Sequence, residues 1–212
     1  MKKEKISDAV IRRMPRYYRH VIELIQSGAD RISSGALSNR LGLTASQIRQ
    51  DFSCFGEFGQ QGYGYNLEHL RSEIADILGA NNNHTAILVG TGNLGRALMR
   101  NFDFEQCGFK LTAAFDIMPE LIGSEIRGVN VLPASTISEY VIKHKTDVAV
   151  LAVQKQYAPS VAKRLVDSGI RGIWNFTNID LHIENPNVFV EDIHFADSLL
   201  TLSYHISRGK EQ

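Results

Sequence analysis

The run Gly90-Thr91-Gly92-Asn93-Leu94-Gly95 constrains this chain more than any other stretch. It follows directly on the apolar segment Thr85-Ala86-Ile87-Leu88-Val89 and opens into the helix-forming run Arg96-Ala97-Leu98-Met99. G-x-G-x-x-G between a buried strand and a helix has a physical reading at each glycine: Gly90 permits the tight turn, Gly92 lets backbone approach a pyrophosphate, and Gly95 allows close helix packing. The helix start behind it presents unpaired amides to negative charge. Leu111–Phe115, Asp147–Val153 and Gly172–Phe176 are further short apolar runs separated by helical segments, the pattern of strands buried on both faces. The expectation is an α/β fold with a Rossmann dinucleotide-binding domain over 84–193. Asp116 lies 21 residues after Gly95, at the end of the Leu111–Phe115 strand. A carboxylate there accepts hydrogen bonds from adenosine ribose hydroxyls and repels a 2′-phosphate, and its neighbours Ile117, Met118 and Pro119 supply no cation, so the pattern points to NAD(H) over NADP(H).

The first part of the chain differs in charge and periodicity. Net charge is zero over 212 residues, but residues 1–50 hold ten Lys/Arg against four acids, or +6, leaving −6 for the rest. Such asymmetry fits a basic binding module joined to an acidic one. Apolar side chains at helical spacing over 9–26 predict a first helix, with Pro15 either kinking it or marking its start. Ser33 or Ser34 caps a second helix over Ala36, Leu37 and Leu41. A glycine turn at Leu41-Gly42-Leu43 follows, and Thr44 with Gln47 forms the pattern of a capping box opening a third helix. This is a helix-turn-helix outline. The glycine- and aromatic-rich run Gly56 to Tyr65 suits a hairpin, which would make the unit winged. A further helix over Leu67–Leu78 leads to the polar cluster Gly79–His84, which sets the expected boundaries: a winged-helix DNA-binding domain over 1–80, the Rossmann domain, and a closing helix over 194–212. In such modules the second helix of the pair enters the major groove, which offers Ser46, Gln47, Arg49, Gln50 and Ser53 to DNA.

Other classes fit poorly. No apolar stretch reaches the roughly 18 residues that cross a bilayer, and no apolar segment of a secretory leader follows the polar start, so a cytoplasmic protein without membrane attachment is expected. Cys54 and Cys107 lack metal-ligand spacing, so no metal is expected. No pairing of His144, His182 or His194 suggests an acid and base beside a nicotinamide, and too little chain follows Phe176 for a substrate domain. No catalytic residue is expected. The rival readings are a small NAD-dependent oxidoreductase with a regulatory N-terminal domain, and a protein-interaction adaptor.

In combination, Ile32-Ser33-Ser34, Gln47-Ile48-Arg49-Gln50-Asp51-Phe52, Phe55-Gly56-Glu57-Phe58-Gly59, Gly62-Tyr63-Gly64-Tyr65, the dinucleotide loop, Phe115-Asp116, Gly169 to Phe176 and Val190-Glu191-Asp192-Ile193 resemble the Rex family of bacterial redox-sensing transcriptional repressors. The resemblance implies a homodimer that binds two-fold-symmetric double-stranded operator DNA and is released when NADH, rather than NAD⁺, binds. It also implies a C-terminal helix exchanged between subunits, for which Phe195, Leu199, Leu202 and Ile206 supply an apolar stripe. It adds Ser33, wing residues Gln60, Gln61 and Tyr63 as DNA contacts, and Val153 and Phe195 near the nicotinamide. The sequence departs from the family pattern in Gln50, in Gln60-Gln61, in Gln154 after Val153, and in His194. His194 stands where an acid would pair with Arg19; a histidine cannot form that salt bridge, which moves the expectation to Asp192.

Overall fold

The structure, a computed structural model, describes residues 6–56, 58 and 63–209. The chain divides into two compact units, one ending at Asn82 and the other beginning at Asn83.

In the first unit, α1 (Asp8–Gln26) buries Val10, Met14, Tyr17, Val21 and Leu24 along one face. The helix runs through Pro15, which lies on the exposed side. The carbonyl that loses its partner there belongs to an exposed turn, and the buried stripe outweighs the proline's cost. β1 (Arg31–Ile32) leads to α2 (Ser34–Leu41), where Ser33 is the cap: its Oγ accepts from the Ala36 amide at 3.0 Å. Gly42 ends α2 in the left-handed region at φ 64°. α3 (Ala45–Ser53) starts under Thr44, whose Oγ1 accepts from the Gln47 amide at 3.1 Å. β2 (Tyr65–Asn66) pairs antiparallel with β1, and α4 (Leu67–Leu78) closes the unit. The expected hairpin over Gly56–Tyr65 falls partly on 57 and 59–62, outside the described residues. Met14, Tyr17, Ile48, Phe52, Leu67, Leu70 and Ile74 share one core, with the Phe52 ring 5.1 Å from Tyr17 and 5.2 Å from both Phe58 and Tyr65.

The second unit is built on β3 (His84–Val89), β4 (Phe109–Asp116), β5 (Glu125–Ile126), β6 (Val129–Pro133), β7 (Val148–Leu151), β8 (Gly172–Asn175) and β9 (Phe189–Asp192). They form one sheet in the order β5-β6-β4-β3-β7-β8-β9, parallel except for β5 against β6. Helices α5 (Asn93–Asn101), α6 (Ile137–His144) and α7 (Ala158–Asp167) connect the strands. Residues of β3 alternate between two cores: Ile87 and Val89 pack with Phe115, Ile137 and Leu165, while Leu88 packs with Met99, Phe104 and Val150. The strand order reverses between β3 and β7, which places a crevice at their carboxyl ends, where open α/β sheets bind ligands. β7 ends at Leu151, so Val153 lies in the loop beyond it.

Trp174 of β8 packs against Phe102 at 5.1 Å and Phe176 at 4.5 Å. The Phe176 ring lies 6.2 Å from Phe195, the first residue of α8 (Phe195–Gly209). No residue of α8 is buried, and Phe195, Leu199, Leu202 and Ile206 are each more than half exposed. Among the described residues no helix is long and apolar enough to cross a membrane, and no cluster of three or more His, Cys, Asp or Glu could hold a metal ion.

Candidate functional site

Two sites emerge, one in each unit. In the first, Ser46, Arg49, Gln50 and Ser53 are all exposed on α3 at the three- and four-residue spacing of a single helix face. Arg49 Nη1 donates to Ser34 Oγ at 3.0 Å, and Ser53 Oγ donates to the Gln50 carbonyl at 2.8 Å. Ser33 is exposed, but its oxygen already caps α2. Tyr63 is 72% exposed, whereas Gln60 and Gln61 lie outside the described residues.

Gln47 departs from expectation. Its side chain does not reach back to Thr44 to complete a capping box; Nε2 donates instead to Asp51 Oδ1, one turn ahead, at 2.8 Å. A buried carboxylate is the stronger acceptor, and it collects donors from two helices. Arg13 donates to it through Nε at 2.6 Å and Nη2 at 2.7 Å, and Tyr17 through its hydroxyl at 2.6 Å. Asp51 is fully buried. Burial pushes its carboxyl up, but the bonds from Arg13, Tyr17 and Gln47 outweigh this and hold it below the usual carboxylate range. Asp51 raises the Arg13 guanidinium in turn, and Tyr17 is raised by burial first and by Asp51 second. Sequence reading missed this cluster. Its signal was Arg13 and Tyr17 four apart on one helix, with Gln47 and Asp51 four apart on another.

In the second unit, the glycines divide by role. Gly90 has φ +98°, and a Cβ there would sit 2.6 Å from the Ala152 carbonyl oxygen; a Cβ on Gly95 would overlap the Gly90 carbonyl oxygen. Both are required by the turn itself. Gly92, at the N-cap of α5, has φ −64° and open space around its Cβ position. Among the described residues nothing crowds that position, and the gap before the helix amides fits the close approach of a phosphate. Asn93 and Leu94 form the first turn behind it, with Asn93 Oδ1 accepting from Arg96 Nη2 at 3.1 Å.

Asp116 is buried, and its oxygens already have partners. Oδ2 accepts from the Thr91 amide at 2.6 Å and the Thr91 hydroxyl at 2.7 Å, and Oδ1 from the amides of Ile117 at 2.8 Å and Met118 at 3.0 Å. Burial raises its carboxyl, and these bonds more than reverse the shift. It braces the glycine loop first, and a ribose hydroxyl would have to replace or share the Thr91 contact. Val153 is half-buried and Phe195 is 57% exposed. Asp192 Oδ1 accepts from Asn175 Nδ2 at 2.7 Å, while His194 Nε2 lies 2.9 Å from Asp180 Oδ1. The acid partner of His194 within its own unit is thus Asp180.

A family model described as a DNA-binding protein N-terminus matches residues 5–53, and one described as a CoA binding domain matches residues 81–179. A helix-turn-helix unit and a Rossmann domain on one chain are the architecture of a DNA-binding regulator with its own ligand-binding domain. The chain is 48% identical over 207 residues to a redox-sensing transcriptional repressor Rex from Clostridium botulinum, covering 98% of both chains. It is 47% identical to one from Thermoanaerobacter pseudethanolicus, covering 97% of this chain and 92% of that one. The crystal structure of RSP in complex with β-NAD⁺ and operator DNA matches with a TM-score of 0.89 and 45% identity, over 97% of this chain and 94% of that one. RSP in complex with β-NADH matches with a TM-score of 0.88 and 42% identity, over 97% and 96%. The chain belongs to the Rex family of redox-sensing transcriptional repressors, as its motifs implied. It is a regulator and not an enzyme, and the oxidoreductase reading is not favoured.

Proposed function

We propose that the chain acts in the cytoplasm as a homodimer that binds two-fold-symmetric operator DNA through α3 and releases it when NADH occupies the crevice between β3 and β7. The observation that carries this reading is the match, along nearly the whole chain, to a relative described with NAD⁺ and operator DNA together. Arg49 is the base reader, because an exposed guanidinium on a capped helix can bond a guanine edge bidentately; Ser33, Ser46, Gln50, Ser53 and the wing residues Gln60, Gln61 and Tyr63 hold the backbone. Gln47 contributes from the margin, with one amide hydrogen committed to Asp51.

Gly90, Thr91, Gly92, Asn93, Leu94 and Gly95 form the pyrophosphate turn, and Asp116 faces the adenosine ribose from beneath Thr91. The same negative charge disfavours the 2′-phosphate of NADP(H) and the 3′-phosphate of coenzyme A, which supports NAD(H) within a domain whose model is named for CoA. Val153 and Phe195 border the nicotinamide. The uncharged reduced ring packs against such apolar groups, whereas the cationic oxidised ring enters at a desolvation cost. The exposed stripe of α8 is covered by the second subunit.

Linkage supplies the test. If NADH weakens operator binding by some factor, operator weakens NADH binding equally, typically about 5- to 150-fold. NADH fluorescence titrations with and without a saturating operator duplex should differ by that factor, and NAD⁺ should show less. Equal NADH affinities in a chain whose DNA binding is specific would refute the sensor reading.

A further inference from the structure

We propose that Asp51 is a positioning residue for operator reading: it locks the recognition helix α3 to α1 and so sets the angle at which the exposed face of α3 is presented. The proposal rests on the reading of α3 as the helix that enters the groove. Each oxygen of Asp51 accepts two bonds, Oδ1 from Arg13 Nη2 and Gln47 Nε2, and Oδ2 from Arg13 Nε and the Tyr17 hydroxyl. Its acceptor capacity is filled. Arg13 and Tyr17 belong to α1, Gln47 and Asp51 to α3, so the carboxylate is the node between the two helices.

Packing alone would hold these helices together, since Ile48 and Phe52 lie in one core with Met14 and Tyr17. Apolar contact is non-directional, however, and tolerates small rotations. A planar guanidinium paired bidentately with a carboxylate does not, because both bonds weaken once the two planes turn apart. Ser46, Arg49, Gln50 and Ser53 sit on a nine-residue helix, so its orientation fixes all four at once. Bidentate base contacts require that kind of precision. Arg13 also changes meaning. It counts among the basic residues of the N-terminal part, but its charge is neutralised by Asp51, with 28% of its side chain exposed. It is thereby withdrawn from the phosphate-contacting set.

The test uses the full chain and a two-fold-symmetric duplex selected by the wild type from a randomised library. A triple variant, Arg13→Met and Tyr17→Phe with Asp51→Leu, removes one positive and one negative charge together with the buried hydroxyl that Asp51 accepted from, and fills the space with apolar groups, a replacement that often preserves stability. Affinities for the selected duplex and for a scrambled duplex are measured over a range of salt, with NADH affinity as the check on the Rossmann domain. The expected result is a specific-to-nonspecific ratio lowered by roughly ten- to a hundredfold, the size of one or two mismatched base pairs, with an unchanged salt slope and unchanged NADH affinity. A retained ratio would reduce Asp51 to packing and overturn the proposal. So would a uniform loss on both duplexes with a shallower salt slope, which would make Arg13 a phosphate contact. Should the triple variant fail to fold, Tyr17→Phe alone removes one bond at nearly constant volume, and it should lower the ratio by a smaller factor; no change there also overturns the proposal. A wild type that selects no duplex would instead refute the reading of α3, and the proposal with it.

Discussion

Asp51 and Asp116 are both buried carboxylates that accept four hydrogen bonds, yet they are held by opposite means. Every donor to Asp51 is a side chain, and three of the four bonds arrive from α1, 34 to 38 residues away. Three of the four donors to Asp116 are backbone amides, two of them on the residues immediately following it. A charge held by side chains ties two separate elements together and depends on each of those residues. A charge held by amides shapes the loop around it and depends on the backbone path. The first arrangement joins two helices, and the second fixes the path of the glycine turn.

Truncation separates the two most sharply. Asp51→Ala leaves the Arg13 charge without its partner and should cost about 3–5 kcal/mol, read by denaturant unfolding of the first unit. Asp116→Ala strips an acceptor from the Thr91, Ile117 and Met118 amides. We expect a loss of about 2 kcal/mol in the second unit, together with weaker NADH binding by calorimetry, while the first unit unfolds as before. Equal costs at the two sites, or a loss that spreads across both units, would erase the distinction.

Near-isosteric deletions refine it. Tyr17→Phe and Thr91→Val each lose a hydrogen bond to a carboxylate; the first should cost about 2 kcal/mol, and the second, which leaves three amide donors on Asp116, about 1.5 kcal/mol. Chemical denaturation at one pH measures both.

The smallest effect is in pH. Both aspartates are held below their ordinary values, so the stability they add is present above the unfolded carboxylate range and is lost as pH falls through their folded values. His194 has the opposite sign. Its hydrogen bond with Asp180 raises it, so its contribution is present below about pH 6.5 and disappears as pH rises past the folded value. Any melting-temperature difference between the wild type and His194→Asn should therefore be largest below the ordinary histidine value and fade as pH rises past the folded value of His194. A difference that grows as pH rises would exclude this assignment.

The elements most legible in the sequence were those governed by local chemistry. Thr44 and Gly42 announce the ends of their helices through capping and a left-handed turn, and the glycine loop declares its strand and helix by sterics alone. Even there, Gln47 satisfied the spacing of a capping box and bonded elsewhere, because Asp51 is a stronger acceptor than the pattern could reveal. β6 escaped notice, being five residues long and ending in proline. The 21-residue offset of Asp116 located it at its strand end, but not its commitment to Thr91, which depends on how the loop folds back. The Arg13–Asp51 pair spans 38 positions, and spacing says nothing about contacts at that separation.

The chain contains one tryptophan, Trp174, and it stands in ring contact with Phe176, which in turn reaches Phe195 at the root of α8. The protein therefore carries its own optical probe at the junction where the proposed exchange helix begins. Indole emission overlaps the absorption band of reduced but not oxidised nicotinamide, so quenching at Trp174 would register the redox state of a bound dinucleotide without any label.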